Sequence, residues 1–146
     1  MLNFEEEKAR YVFKLKLDVR WGDMDEMGHV NNAIYLTYFE QARIYYFEAA
    51  CKWNWKEQGA ILASAHVDYI RPILFPNVTY VHVRTSKIGN KSLEINYLIT
   101  TIVNGIEHLA TTGYTVMVMF DYKNNTSIPV PDFIREFIRS YEVEKI

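Results

Sequence analysis

Residues Ala33 to Ala50 constrain the fold of this chain more than any other stretch. Within them the polar residues Thr37, Glu40, Gln41 and Glu48 fall on one side at helical spacing, and nearly everything else is Ile, Leu, Phe, Tyr or Ala. A helix with so narrow a polar stripe has to be surrounded by protein on most sides. It begins directly after a dense polar stretch, Asp23-Met24-Asp25-Glu26-Met27-Gly28-His29-Val30-Asn31-Asn32. Polar groups are costly to bury without partners. A polar cluster set against the most apolar helix of the chain therefore points to chemistry rather than packing. Asn31 or Asn32 is the expected N-cap.

The rest of the chain supplies strands to cover that helix. Tyr11 to Trp21 alternates, with Phe13, Leu15, Leu17, Val19 and Trp21 on one face and Lys14, Lys16, Asp18 and Arg20 on the other. That is the pattern of a half-buried strand. Ile61 to Ile70 reads as a second strand, ended by Arg71-Pro72. Val78 to Ile88 is a third, running into a Gly89-Asn90-Lys91 turn. Ser92 to Val103 and Ile106 to Phe120 flank Asn104-Gly105, the strongest two-residue hairpin signal. Gly113 inside the last strand predicts a bulge or bend. After Pro129 and Pro131, Asp132 to Tyr141 predicts a short amphipathic helix. Strand, long helix, four strands, short helix is an α+β order with a largely antiparallel sheet. The expectation is one domain over residues 1–146, with five strands curved around the helix.

Composition narrows the function. Hydrophobic residues make up 49% of the chain and aromatics 15%, enough for a filled core and too much for disorder. A formal net charge of −2 gives no global field toward nucleic acid or an anionic membrane. Neither is expected as a partner. The lone Cys51 excludes an internal disulfide and a cysteine metal cluster, and favours a reducing compartment. The N-terminal Met1-Leu2-Asn3-Phe4-Glu5-Glu6-Glu7 lacks the basic-then-apolar pattern of a signal peptide. No apolar run is long enough for a bilayer, so a cytoplasmic protein is expected.

Several motifs occur in a consistent order: Arg20-Trp21-Gly22-Asp23-Met24-Asp25, then Gly28-His29-Val30-Asn31-Asn32-Ala33 with Tyr35, then Tyr38-Phe39-Glu40 with Ala42-Arg43. Together they resemble the signature of the 4-hydroxybenzoyl-CoA thioesterase family. Tyr69 with Arg71-Pro72, Ile88-Gly89-Asn90-Lys91-Ser92, and Ile128-Pro129-Val130-Pro131 extend the likeness over most of the chain. The resemblance implies the hot-dog fold, in which an antiparallel sheet wraps a long helix. It implies hydrolysis of acyl-CoA thioesters by a homodimer or homotetramer, with active sites at subunit interfaces. It aligns the reacting carboxylate with Asp25, not Asp23. It also places the amide that polarises the thioester carbonyl near Asn32, and it needs no cofactor, since CoA is part of the substrate.

The residues support that chemistry independently. Thioester hydrolysis needs a nucleophile, or a base that activates water, and a donor for the oxygen that becomes negative. A carboxylate serves either version of the first role, and Asp25 is the candidate for both. A helix N-terminus serves the second, because its first N–H groups lack intrahelical partners and its dipole favours negative charge. Such a donor is worth roughly 2.7–4 kcal/mol in the transition state. The Asn31 and Asn32 amides are candidates, and His29 either contacts substrate or orients the carboxylate. Glu40 is a second candidate carboxylate, since some hot-dog thioesterases carry theirs on the central helix. It also lies three residues from Arg43, at ion-pair spacing. Asp23 is expected to brace the loop. Arg71, Lys87 and Lys91, with Ser92, are candidates for the phosphates of CoA. Tyr35 and Tyr38, with residues of a neighbouring subunit, are candidates for the acyl pocket. No metal ligands are expected. His66 and Asp68 share a strand face and are expected to meet solvent.

Three rivals remain. A hydratase of the same fold carries Asp and His separated by four residues. Asp23 and His29 here have five between them, and Asp25 and His29 three, so neither pair fits. A non-catalytic acyl-thioester binder has no need of Asp25. A thioesterase acting on acyl-carrier-protein esters could use the same residues, with a basic rim receiving the acidic carrier.

Overall fold

The structure is a computed structural model describing residues 3–146. Met1 and Leu2, which begin the acidic N-terminal segment, lie outside the described residues. In chain order the elements are α1 (Phe4–Ala9), β1 (Phe13–Leu17), α2 (Ile34–Cys51), β2 (Gly59–Tyr69), β3 (Thr79–Ile88), β4 (Ser92–Val103), β5 (Ile106–Asp121), β6 (Thr126–Ser127) and α3 (Asp132–Tyr141). The strands form one sheet in the order β1-β3-β4-β5-β2, antiparallel throughout, with β6 added to β5. The sheet curls around α2, as the hot-dog arrangement requires. It has six strands rather than the expected five, the extra one being only two residues long.

The core lies between α2 and the inner face of the sheet. Phe39, Tyr46 and Phe47 of α2 are fully buried, as are Val81 and Val83 of β3 and Ile95, Tyr97 and Ile99 of β4. Each large side chain removed from water in this way stabilises the fold by about 1.5–3 kcal/mol. Phe39 stacks on Tyr97 with ring centroids 4.1 Å apart. Arg43 is also buried and donates to Tyr97 Oη at 3.0 Å. It makes no ion pair with Glu40 among the described residues, so the spacing argument for that pair fails. Ile134 and Ile138 of α3 close one end of the core.

Four local readings change. The helix α1 was not expected, although Asn3 and Glu6 form a capping box that signals a helix start. Strand β1 stops at Leu17, and Trp21 sits in a 3-10 turn, Trp21–Asp23, with 78% of its surface exposed. The Asp23 carboxylate accepts the Arg20 N–H, and the Asp23 N–H returns to the Arg20 carbonyl; that pair turns the chain out of the strand. The helix α2 is not covered on most sides within one chain, because Leu36, Ile44 and Tyr45 remain exposed. Gly113 makes no bulge: it pairs in register with Tyr97 and Val67, and the irregularities fall elsewhere. The glycine is required by close approach. A Cβ there would lie 2.5 Å from the His66 carbonyl oxygen and 2.8 Å from Phe39 Cε2.

The Asn104-Gly105 hairpin forms as expected, with both residues at positive φ, 51° and 76°. Urea denaturation should separate two other glycines. Gly113→Ala is expected to lose about 1–3 kcal/mol by overpacking. Gly22→Ala, whose Cβ meets nothing within 4 Å, is expected to change stability by less than about 0.5 kcal/mol. Equal effects would contradict the close-approach account.

Candidate active site

The polar stretch before α2 folds as a tight loop. Met24 and Val30 pair as an isolated antiparallel bridge, the Asp25 N–H donates to the His29 carbonyl at 2.7 Å, and the Gly28 N–H returns to the Asp25 carbonyl at 3.1 Å. Gly28 has φ +76°, a backbone angle that glycine takes without strain. The loop is tied to the body of the protein through the Val30 N–H, which donates to the Ile73 carbonyl.

Two aspartates two residues apart occupy opposite environments. Asp23 is buried, with 2% exposure. Its Oδ2 accepts the Arg20 N–H at 3.0 Å and the Tyr38 hydroxyl at 2.7 Å, and its Oδ1 accepts the Arg20 guanidinium. Burial alone would push the Asp23 carboxyl up, but the Arg20 amide, the Tyr38 hydroxyl and the guanidinium together hold it below the ordinary value. Asp23 is thus the brace the sequence indicated, and Tyr38 serves that brace instead of lining the Asp25 cavity. Asp25 is exposed. Its Oδ1 accepts the Met27 N–H at 2.9 Å and the His29 N–H at 3.2 Å, which orients the carboxylate. Its Oδ2 has no partner among the described residues.

The start of α2 distributes its amides unevenly. The Asn31 N–H donates to the Asp23 carbonyl, the Ala33 N–H to Asn31 Oδ1, and the Ile34 N–H to the Asn31 carbonyl, each at 2.9 Å. The Asn32 N–H has no acceptor among the described residues. A trans peptide directs its C=O and N–H oppositely. The Asn31 carbonyl points into the helix toward Ile34, so the Asn32 N–H points out of it. Asn31 is occupied in these bonds and does not offer a free amide. The helical N-cap position itself falls at Ala33, after both of the expected residues, Asn31 and Asn32.

Asp25, His29, Asn32, Tyr35 and Arg71 line one cavity of about 290 Å³, joined by Tyr69, Ile70 and Pro72. Arg71 makes no ion pair there among the described residues. Tyr69 was singled out in the sequence only as part of a strand end, and its partner at the start of α2 lies 37 residues away in the chain, where no local pattern reveals it. Glu40 is not in this cavity; it lines a separate groove with Asp18, Arg20, Thr37 and Gln41. Lys87, Lys91 and Ser92 lie at the other end of the sheet. Tyr69 pairs with Thr111 of β5, whereas Ser92 pairs with Val118. Seven residues along a strand is about 23 Å. His66 and Asp68 pair at 3.0 Å and are both exposed, as expected.

Residues 19–138 match the thioesterase-like superfamily. The chain belongs to that superfamily. It is 30% identical over 134 residues to the protein YsmA of Bacillus subtilis (strain 168), covering 91% of this chain and 89% of that one. It is 38% identical to a thioesterase from Thermus thermophilus whose crystal structure contains coenzyme A and Zn, with a TM-score of 0.82 over 94% of this chain and 98% of that one. A 4-hydroxybenzoyl-CoA thioesterase mutant, solved with 4-hydroxybenzoyl-CoA, shares the fold at 16% identity, with a TM-score of 0.80 over 86% of this chain and 97% of that one. Membership of the superfamily makes thioester hydrolysis the reaction class of the protein. No helix among the described residues is long and apolar enough to cross a membrane.

Replacing the brace should leave a pH signature. A carboxylate held below its ordinary value stabilises the fold above that value, and the contribution disappears as pH falls through the depressed one. Asp23→Asn should therefore melt below the wild type at neutral pH, by on the order of 1–3 kcal/mol. The gap should close as the pH drops below about 3.8. Thermal melts across pH test this, and a gap that stays constant with pH would refute it.

Proposed function

We propose that the protein hydrolyses acyl-CoA thioesters to the free acid and CoA at the Asp25 cavity. One observation carries the reading: Asp25, an oriented carboxylate with one oxygen unpartnered among the described residues, and Asn32, whose amide is likewise unpartnered among them, line the same cavity. Asp25 Oδ2 either attacks the thioester carbon or takes a proton from the water that does. In the first case a mixed anhydride forms, the CoA thiolate leaves, and water then cleaves the anhydride. In the second, water adds directly and the thiolate leaves as the tetrahedral intermediate collapses. The Asn32 N–H donates to the oxygen that carries the negative charge in both. Arg71, which makes no ion pair among the described residues, offers a cation to the CoA phosphates, and Tyr35 offers an apolar wall to the acyl group. The reaction draws on water and the protein alone, with no cofactor. A cytoplasmic setting fits the single cysteine.

The working unit is a homodimer joined through β2. That strand is the long edge of the sheet, and Ile61 and Leu62 on it stay exposed. An open apolar edge is a template for pairing. Antiparallel pairing of two β2 strands sets the Tyr69 end of one chain beside the Gly59 end of the other. The partner subunit's Lys91 and the partner subunit's Ser92 then approach this cavity, which their own chain's geometry keeps them from doing within one protomer. The CoA nucleotide would thus be shared between subunits.

A thiol-release assay with a panel of acyl-CoAs, and the same acyl groups on acyl carrier protein, tests the activity. Asp25→Asn is expected to lower kcat by at least about 10²-fold while leaving substrate binding intact; a wild-type rate would end the proposal. Leu62→Glu is expected to shift the protein to monomer in sedimentation velocity and to raise KM for CoA esters. A dimer that survives that change would place the interface elsewhere.

A further inference from the structure

Tyr69 is the last residue of β2 and pairs with Thr111 of β5. Its hydroxyl donates to the backbone carbonyl of Asn32 at 2.9 Å. Its ring meets Tyr35 edge to face, with centroids 4.8 Å apart and planes at 85°. The side chain thus bridges the edge of the sheet to the start of α2.

The bond falls at a position where the helix offers no substitute. The first intrahelical acceptor is the carbonyl of the N-cap residue, Ala33. The Asn32 carbonyl lies one residue before it and outside the ladder. Two peptide units meet at the Asn32 Cα. The unit on the N-terminal side is held by the Ile34 N–H, which donates to the Asn31 carbonyl. The unit on the C-terminal side is held at its N–H by Asn31 Oδ1 and at its carbonyl by Tyr69. With both units held, φ and ψ of Asn32 are held too. Among the described residues, the one group left without an acceptor across these two units is the Asn32 N–H. Of the groups that are satisfied, the Asn31 carbonyl and the Ala33 N–H find partners within the loop and the helix start. Among the described residues, Tyr69 alone reaches in from another element.

We propose that Tyr69 is a positioning residue for the oxyanion donor, its hydroxyl holding the Asn32–Ala33 peptide so that the Asn32 N–H stays aimed into the cavity. This rests on the reading that the Asn32 amide stabilises the negative oxygen in thioester hydrolysis. Because the Tyr69 hydroxyl proton is engaged by the Asn32 carbonyl, it is not itself the donor to the substrate. The effect of the bond appears where geometry matters most, in the transition state, and not in the binding of the ground state.

Tyr69→Phe removes the hydroxyl and keeps the ring against Tyr35. Steady-state kinetics of thiol release should show kcat lowered about ten- to a hundredfold, with KM within about twofold of wild type. Melting temperature should be unchanged within about 2 °C, since the bond is exposed. The amide resonance of Asn32 in a ¹⁵N–¹H spectrum should move in the variant. A wild-type kcat, a raised KM at unchanged kcat, or an unmoved Asn32 resonance would each overturn the inference while leaving the thioesterase reading standing. Absence of thiol release by the wild-type protein on every thioester would overturn both together.

Discussion

A helix start leaves backbone N–H groups without partners, and the site depends on how this one assigns them. Asn31 gives its N–H to Asp23, receives the Ile34 N–H on its carbonyl, and receives the Ala33 N–H on its side chain. One residue thereby organises three of the amides around the turn. The Asn32 N–H is left as an oriented donor, directed away from the helix by the geometry of its own peptide. An unpaired buried amide would cost on the order of 1–3 kcal/mol. Here Asn32 is exposed and lines the cavity, so water offsets that cost, and in the proposed reaction a substrate oxygen would replace the water. The same arrangement therefore keeps the resting protein stable and leaves a donor free.

The loop that carries Asp25 follows from the same sharing of partners. Met24 to Val30 is closed by a backbone bridge at its ends and by further backbone bonds inside. The Asp25 side chain closes the innermost turn with one of its oxygens. A carboxylate that bonds its own loop is restricted in rotation, and the oxygen it leaves free has a defined direction. This differs from a surface aspartate, whose rotamers would have to be narrowed during the reaction at an entropic cost. The backbone thus does the orienting that a separate side chain would otherwise supply.

The helix, the long strands and the Asn104-Gly105 hairpin were legible in the sequence because their signals are local. Ser92–Val103 and Asp132–Tyr141 need no adjustment at either end. Asp25, His29, Asn32, Tyr35 and Arg71 do come together. What local patterns could not carry was distance across the sheet. Arg71 and Lys91 read alike as basic residues near strand ends, yet they belong to opposite ends, since β2 and β4 both pair with β5 at different points along it. Gly113 failed for a related reason. A glycine in a strand signals a bend or a close neighbour equally well, and only the packing of Phe39 and the His66 carbonyl decides between them. Trp21 continued an alternation that the Arg20–Asp23 turn had already ended.

The exposed apolar groups bear on the same question. The pattern of α2 asks for cover on most sides, and one chain leaves Leu36, Ile44 and Tyr45 open. Scattered apolar residues on a surface are ordinary. These, however, sit on the element whose sequence predicts burial, and β2 adds Ile61 and Leu62 along an unpaired edge. A strand with an open backbone edge and apolar side chains is a liability for a monomer, because it invites uncontrolled pairing. Pairing with an identical strand removes the edge from both chains at once and is self-limiting, since a two-fold contact leaves no further β2 to extend it. In the proposed dimer that contact would bring the cationic residues at the far end of one sheet toward the cavity of the other. The mismatch between the sequence pattern of α2 and its exposure in one chain is therefore a second observation, beside the β2 edge, that supports the proposed self-association.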